Sequence, residues 1–159
     1  MSRQLFSLLI VAPAMLAAAA LAQGFGTFVG HLSGAGETLG GWTAQPAMCQ
    51  TGKEAPRPDI AVRFIFAQPR TPRNPRGGPA FVDIIDSAGN PPSLEITMSM
   101  APNAPLHFND QVCKSLHIDL TPDGESAPPA KMLEGAIDAD CALGGEELHG
   151  HLEFKNCRF

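Results

Sequence analysis

The sequence is poor in the features of helical proteins and of motif-based enzymes. Its 159 residues contain no tyrosine, a single tryptophan and only 17% charged residues. No long segment has apolar residues at the i, i+3, i+4, i+7 spacing of an amphipathic helix, so long helices are not expected. Gly34 and Gly36 do not belong to a G-x-G-x-x-G motif, and no G-x-S-x-G motif is present. We therefore do not expect this protein to be an enzyme.

Closely spaced cysteines are also absent. The four cysteines are Cys49, Cys113, Cys141 and Cys157, and the smallest gap between them is 16 positions. Zinc sites of the C-x-x-C type need pairs of cysteines two to four residues apart, so this class of structural zinc site is disfavoured.

An export signal is present at the start of the chain. Arg3 supplies a positive charge, residues 5–21 are mostly apolar, and residues 20–22 (Ala-Leu-Ala) match the A-x-A cleavage pattern. The apolar run has no basic stop-transfer flank, which makes a retained membrane helix the weaker interpretation. We expect residues 1–22 to be a signal peptide that is removed before Gln23.

The mature protein is then predicted to be a single domain over residues 23–159, without a transmembrane segment. It would be located in the periplasm or outside the cell. In such an oxidising compartment, an even number of cysteines favours two disulfide bonds.

Alternation with a period of two is the dominant pattern of the mature chain. It is clearest where Leu94, Ile96, Met98 and Met100 are predicted to face inward. Similar segments, separated by turn-forming residues, are 25–32, 59–68, 81–86, 93–101, 112–120, 131–140 and 148–156. With short connections and no crossover helix, these segments predict an all-β fold. We expect an antiparallel β-sandwich or partly open barrel of about seven short strands.

The same pattern constrains the disulfide pairing. A hairpin about Gly144 would separate Cys141 and Cys157 by roughly 30 Å. Bonded cysteines need Cα atoms within about 7 Å of each other. Cys113 and Cys141 are instead symmetrically placed about the turn joining their strands. The sequence therefore favours Cys113–Cys141 together with Cys49–Cys157.

The predicted mature chain is acidic. Ten Lys and Arg residues stand against 16 Asp and Glu residues, for a net charge of −6 with neutral histidines. Such a charge keeps a small domain soluble and argues against general nucleic-acid binding.

His149 and His151 form the sharpest local candidate for a binding site. Residues i and i+2 of a strand project from the same face about 6.5–7 Å apart, a spacing that two ligands of one metal ion tolerate. His117 and Asp119 are predicted to face outward in the same way. Together the four residues suggest a site for Zn²⁺ or Cu²⁺. The alternative is a solvated polar sheet face, because the H-x-H pattern often occurs by chance.

A second candidate is a binding loop over residues 69–78, in which prolines are interspersed with Arg70, Arg73 and Arg76. An extended conformation would space the three guanidinium groups along a surface suited to phosphates or carboxylates. An acidic component of the cell envelope or a protein partner would fit it. The alternative is a solvated hairpin loop without a binding role.

From these patterns we expect an exported, non-enzymatic binding or structural module. The alternative hypothesis is a periplasmic metal-binding protein that uses the strand carrying His149 and His151.

Overall fold

The computed structural model of the protein describes residues 26–51, 57–67, 77–122 and 132–158. Over these ranges the chain forms ten strands and no helix. They are β1 (Thr27–Ala35), β2 (Trp42–Ala44), β3 (Met48–Thr51), β4 (Ile60–Ile65), β5 (Pro79–Ile85), β6 (Ser93–Met98), β7 (Ala101–Phe108), β8 (Cys113–Pro122), β9 (Met132–Leu143) and β10 (Glu146–Arg158). Within the same ranges, no helical segment has the length and hydropathy needed to cross a membrane. The predicted signal peptide, 1–22, lies outside the described residues.

The strands form two antiparallel sheets that pack together, so the predicted all-β sandwich is confirmed. The first sheet has the order β2-β1-β10-β9-β8, and the second has the order β3-β4-β5-β6-β7. Seven strands correspond to the predicted segments. β2, β3 and β7 are additional, because the first two are only three and four residues long and β7 contains Pro102 and Pro105. Neither feature produces a recognisable alternation in the sequence.

The two sheets meet where β10 bends. Its pairing with β9 is interrupted by a bulge between Phe154 and Cys157, and Asn156 there has a positive φ of 58°. A bulge bends the strand that carries it. Beyond it, β10 pairs with β3 of the other sheet through a parallel bridge between residues 158 and 50. The Cys49–Cys157 disulfide joins the same two strands.

The predicted hairpin and both predicted disulfides are present. β9 and β10 are joined by Gly144 and Gly145, which have φ values of 59° and 90°. Tight two-residue hairpin turns of this kind need positive φ at both positions, which glycine adopts without a steric penalty. The second disulfide, Cys113–Cys141, joins directly opposed residues of β8 and β9.

Aromatic rings hold the two sheets together at the centre of the core. Phe64 of β4 makes edge contacts with Phe154 of β10 at 5.0 Å and with Phe28 of β1 at 6.2 Å, measured between ring centroids. Trp42 of β2 contacts Phe66 at 6.1 Å. Each such pair stabilises the fold by about 0.5–1.5 kcal/mol beyond the burial of its area. Around them lie further fully buried residues, among them Leu32, Ile84, Leu94, Ile96, Ile137, Leu148 and Leu152.

One predicted inward residue faces solvent instead. Met98 is 2% exposed, as expected, but Met100 is 53% exposed. β6 ends at Met98, and residues 99 and 100 form the turn into β7. The alternating pattern of the sequence extends beyond the end of the strand, because Met100 is an apolar turn residue that happens to occupy the next alternate position.

Candidate functional site

The outer face of the first sheet collects histidines and carboxylates from four adjacent strands. In one row across the sheet, His117 lies opposite Asp138, Asp138 opposite His151, and His151 opposite His31. In the next row, Asp140 lies opposite His149. We call the whole set the histidine–carboxylate face. It consists of His31, His117, Asp119, Asp138, Asp140, Glu147, His149, His151 and Glu153.

The alternation of β10 places these side chains outside. Leu148, Leu152 and Phe154 are buried between the sheets. Because successive strand residues point to opposite faces, the odd-numbered residues from 147 to 153 point to solvent. The register of β9 and β8 then brings their own polar residues to the same surface. Packing of the core thus decides which residues of these strands lie on this face.

His151 is the most strongly engaged imidazole of the face. Its Nδ1 lies 2.7 Å from Asp138 Oδ1, and its Nε2 lies 3.3 Å from Glu153 Oε1. The hydrogen bond with Asp138, followed by that with Glu153, raises the pKa of His151 above its ordinary value. Both carboxylates stabilise the positive charge of the imidazolium form.

His149 repeats this arrangement one row away. Its Nδ1 lies 3.1 Å from Asp140 Oδ1, and its Nε2 lies 3.6 Å from Glu147 Oε2. Asp140 Oδ2 also forms an ion pair with Lys114 Nζ at 3.2 Å. Each of the two histidines of β10 therefore stands between an aspartate of β9 and a glutamate of its own strand.

His117 and Asp119 form a separate pair on β8. His117 Nε2 lies 3.1 Å from Asp119 Oδ2, and both side chains are well exposed. Asp138 lies between His117 and His151 in the row. The two histidines are thus two strands apart, about 9.5 Å between backbones.

The four predicted metal ligands therefore share one face without converging on one point. Among the residues that the structure describes, no group of three or more His, Cys, Asp or Glu side chains is arranged to hold a metal ion. At His149 and His151 the two neighbouring carboxylates contact opposite nitrogens of the ring, so at most one of the two could share an ion with the imidazole.

His31 is a member of the face that the sequence analysis missed. It lies on β1, opposite His151 of β10, at a sequence separation of 120 residues. Local alternation indicates only that a residue faces outward. It does not indicate which distant strand lies beside it.

Of the predicted binding loop over residues 69–78, the structure describes only Gly77 and Gly78. Arg70, Arg73 and Arg76 lie outside the described residues, so their role stays a prediction. The described arginines Arg57 and Arg63 are engaged in ion pairs with carboxylates of the second sheet.

Comparisons with known proteins do not indicate a function. No protein-family model, no curated protein and no solved structure matches the chain.

Proposed function

We propose that this protein is an exported, non-enzymatic binding module that uses the histidine–carboxylate face to bind a positively charged segment of a partner protein. The observation that carries the proposal is the continuous, solvent-exposed band of carboxylates and imidazoles across β8, β9, β10 and β1. The predicted signal peptide and the two disulfides support the proposed export.

The charge of the face favours a cationic partner. Its five carboxylates, with Lys114 beside them, give a net charge of −4 when the four imidazoles are neutral. A concentration of one sign of charge on one surface attracts partners of the opposite sign and speeds their association. A solvent-exposed sheet face suits an extended segment or a broad basic surface better than an enclosed small molecule.

The histidines make this charge sensitive to pH. Each imidazole that takes up a proton reduces the net negative charge of the face by one, and Asp138 and Glu153 favour this protonation at His151. The carboxylates facing them are Asp138 and Glu153 at His151, Asp140 and Glu147 at His149, and Asp119 at His117. Binding of a basic partner should accordingly weaken as the pH falls through the raised pKa of His151.

A basic peptide tests the proposal. A fluorescently labelled deca-lysine peptide is titrated with the protein, and binding is followed by fluorescence anisotropy at low salt. The titration is made at about pH 8, above the ordinary histidine pKa of about 6.5. Exchanging Asp138 and Asp140 together for asparagine should weaken binding roughly two- to thirtyfold, because each exposed ion pair is worth about 0.2–1 kcal/mol.

The control removes the same amount of charge elsewhere. Asp86 and Asp110 are exposed and lie outside the face, so exchanging both for asparagine changes the net charge equally. This variant should bind the peptide nearly as well as the natural protein. An equal loss of affinity in both variants would mean that only net charge matters, and the proposed face would be abandoned.

Metal binding is the second candidate, and one distance favours it. Two ligands of a tetrahedral Zn²⁺ ion, each about 2.0–2.1 Å from the metal, lie about 3.3 Å apart. His151 Nε2 and Glu153 Oε1 have this separation, while Asp138 contacts Nδ1. A carboxylate on the second ring nitrogen is the usual support of a metal-bound histidine. His149, with Glu147 and Asp140, has a looser version of the same set.

A zinc titration distinguishes this candidate from peptide binding. Untagged protein is unfolded thermally with and without Zn²⁺, and with Cu²⁺ in parallel. At a hundredfold excess over its dissociation constant, a bound ion adds about 2.7 kcal/mol to stability. The thermal shift should be lost when His149 and His151 are both exchanged for alanine. A shift that survives this double substitution would exclude these histidines as the ligands.

A further inference from the structure

The outer edge of β8 is the longest strand edge that the structure leaves without a partner. β8 covers residues Cys113–Pro122 and pairs with β9 on one side, and no described strand pairs with its other side. The remaining edges are protected. β2 has three residues, β3 is bridged by β10, and β7 carries Pro102 and Pro105. Proline and very short length are common ways of blocking an edge, whereas β8 has proline only at its last position.

β8 also leaves apolar surface incompletely covered. Leu116, Ile118 and Leu120 point toward the core but are only partly buried. Ile137, which lies opposite Ile118 on the neighbouring strand β9, is fully buried. β9 covers these three side chains on one side. An additional strand along the free edge of β8 would cover them on the other side.

We propose that β8 pairs with β8 of a second copy of this chain, in antiparallel orientation, about a two-fold axis at Ile118. The two five-stranded sheets would then form one continuous sheet across the dimer. This proposal does not rest on the binding function proposed above, although His117 and Asp119 belong both to the edge strand β8 and to the histidine–carboxylate face.

The side chains of β8 select this register. A two-fold axis perpendicular to the sheet leaves outward residues facing outward in both copies. Because residues directly opposite each other in an antiparallel pair point to the same face, the axis must pass through a residue position and not between two residues. An axis at Ile118 places His117 opposite Asp119 of the partner subunit, twice. It also places Leu116 opposite the partner subunit's Leu120. Histidine–carboxylate pairs and apolar pairs directly across two strands are both stabilising.

The neighbouring registers are less favourable. An axis at His117 would place the two copies of His117 opposite each other and lose both His117–Asp119 pairs, and an axis at Asp119 would oppose two carboxylates. Like charges directly opposite each other are destabilising. At the start of the strand, the bulge between Cys113 and Ser115 and the exposed Lys114 end the regular edge. The paired stretch is therefore 115–121, which is symmetric about Ile118.

Sedimentation velocity over a range of protein concentrations tests the proposal. The natural protein should show a monomer–dimer equilibrium. His117→Asp would oppose two carboxylates at each of the two symmetric positions, and we expect dimerisation to weaken about tenfold or more. The double exchange His117→Asp with Asp119→His reverses each pair and should restore the dimer to within about threefold. Both side chains are exposed in the monomer, so these variants should fold.

His31→Asp is the matched control, because it makes the same substitution on the same face three strands from the edge. It should leave dimerisation unchanged. Hydrogen exchange of the natural protein should show amides of residues 115–121 becoming protected as concentration rises. A protein that stays monomeric at all concentrations would overturn the proposal. A double variant that dimerises no better than His117→Asp would overturn the register.

Discussion

At the scale of single residues, Glu146 shows how a carboxylate can become structural. It is buried, and its oxygens accept hydrogen bonds from the backbone N–H groups of Thr38 at 2.8 Å and Leu39 at 2.7 Å. Burial opposes ionisation of this group. The hydrogen bonds from Leu39 and Thr38 outweigh burial, and the pKa of Glu146 is lowered. Glu146 thus fixes the turn after β1 to the start of β10.

We predict that Glu146→Gln lowers the free energy of unfolding by about 1–3 kcal/mol, the usual loss for hydrogen bonds to a charged group. Because the pKa of Glu146 is lower in the folded protein, its contribution is complete above the ordinary value of 4.5. It is lost as the pH falls through the lower folded pKa. Urea unfolding at several pH values measures both effects. Glu147→Gln, at the exposed neighbouring position, should change stability by less than about 0.5 kcal/mol. Equal losses in the two variants would contradict this role for Glu146.

The ion pair between Arg63 and Asp83 is asymmetric in its exposure. Arg63 donates two hydrogen bonds to Asp83, at 2.7 and 2.6 Å, and its guanidinium lies 4.5 Å from the ring centre of Phe81. The Arg63 side chain is 17% exposed and that of Asp83 only 1%. Loss of the arginine would therefore leave a buried charge, whereas loss of the carboxylate would leave a charge that reaches water.

We predict that Arg63→Met destabilises the protein by about 3–5 kcal/mol, because an unpaired buried carboxylate remains. Asp83→Asn should cost about 1–3 kcal/mol. Chemical denaturation compares the two variants. Arg57→Met, which removes a more exposed ion pair with Glu95, should cost less than about 1 kcal/mol. The explanation fails if Asp83→Asn is the more destabilising of the two substitutions.

At the scale of elements, the close contact of β1 with β2 depends on a glycine. Gly34 lies directly opposite Trp42. A Cβ atom at Gly34 would lie 2.4 Å from the indole Nε1 of Trp42, a distance that forces the ring to move. Trp42 in turn contacts Phe66 at the edge of the core. The buried tryptophan therefore requires the absence of a side chain on the neighbouring strand.

We predict that Gly34→Ala costs about 1–3 kcal/mol, the usual penalty for overpacking a core. It should also shift the emission of Trp42 to longer wavelength. Because the chain has one tryptophan and no tyrosine, fluorescence reports on this site alone. Gly41→Ala is the control, since a Cβ atom at Gly41 would meet nothing within 4 Å. Unchanged emission in Gly34→Ala would show that the ring is free to shift without loss of burial.

Strands were predictable where the alternation of apolar and polar residues extended over many positions. The strand segments near 93–98 and 148–156, and the hairpin at Gly144, follow from periodicity and turn residues. The strands β2 and β3 are too short to show a period, and the prolines of β7 interrupt its alternation. Met100 was predicted to face inward because periodicity does not mark where a strand ends.

At the scale of the whole molecule, the two disulfides have different roles. Cys49–Cys157 links the two sheets and closes a separation of 108 residues, whereas Cys113–Cys141 links neighbouring strands over a separation of 28. In the chain-entropy description, a cross-link stabilises more when the loop that it closes is longer.

We predict that exchanging Cys49 and Cys157 for alanine is the more damaging of the two double substitutions. Loop entropy gives a loss of about 4.8 kcal/mol for this disulfide and about 3.6 kcal/mol for Cys113–Cys141. Thermal and chemical unfolding of the two double variants measure the difference. A larger loss on removal of Cys113–Cys141 would show that local strand pairing matters more than the link between the sheets.

The sequence by itself determined the class of fold, the sheet face on which most polar residues lie, and both disulfide pairs. Each of these follows from alternation, turn residues or spacing along a hairpin, which are properties of neighbouring residues. Only the tertiary structure decided that β1 lies beside β10, which brings His31 next to His151, and that β8 stands at an edge. Pairing between strands more than a hundred residues apart depends on the shared burial of both sheets, and no local pattern carries that information.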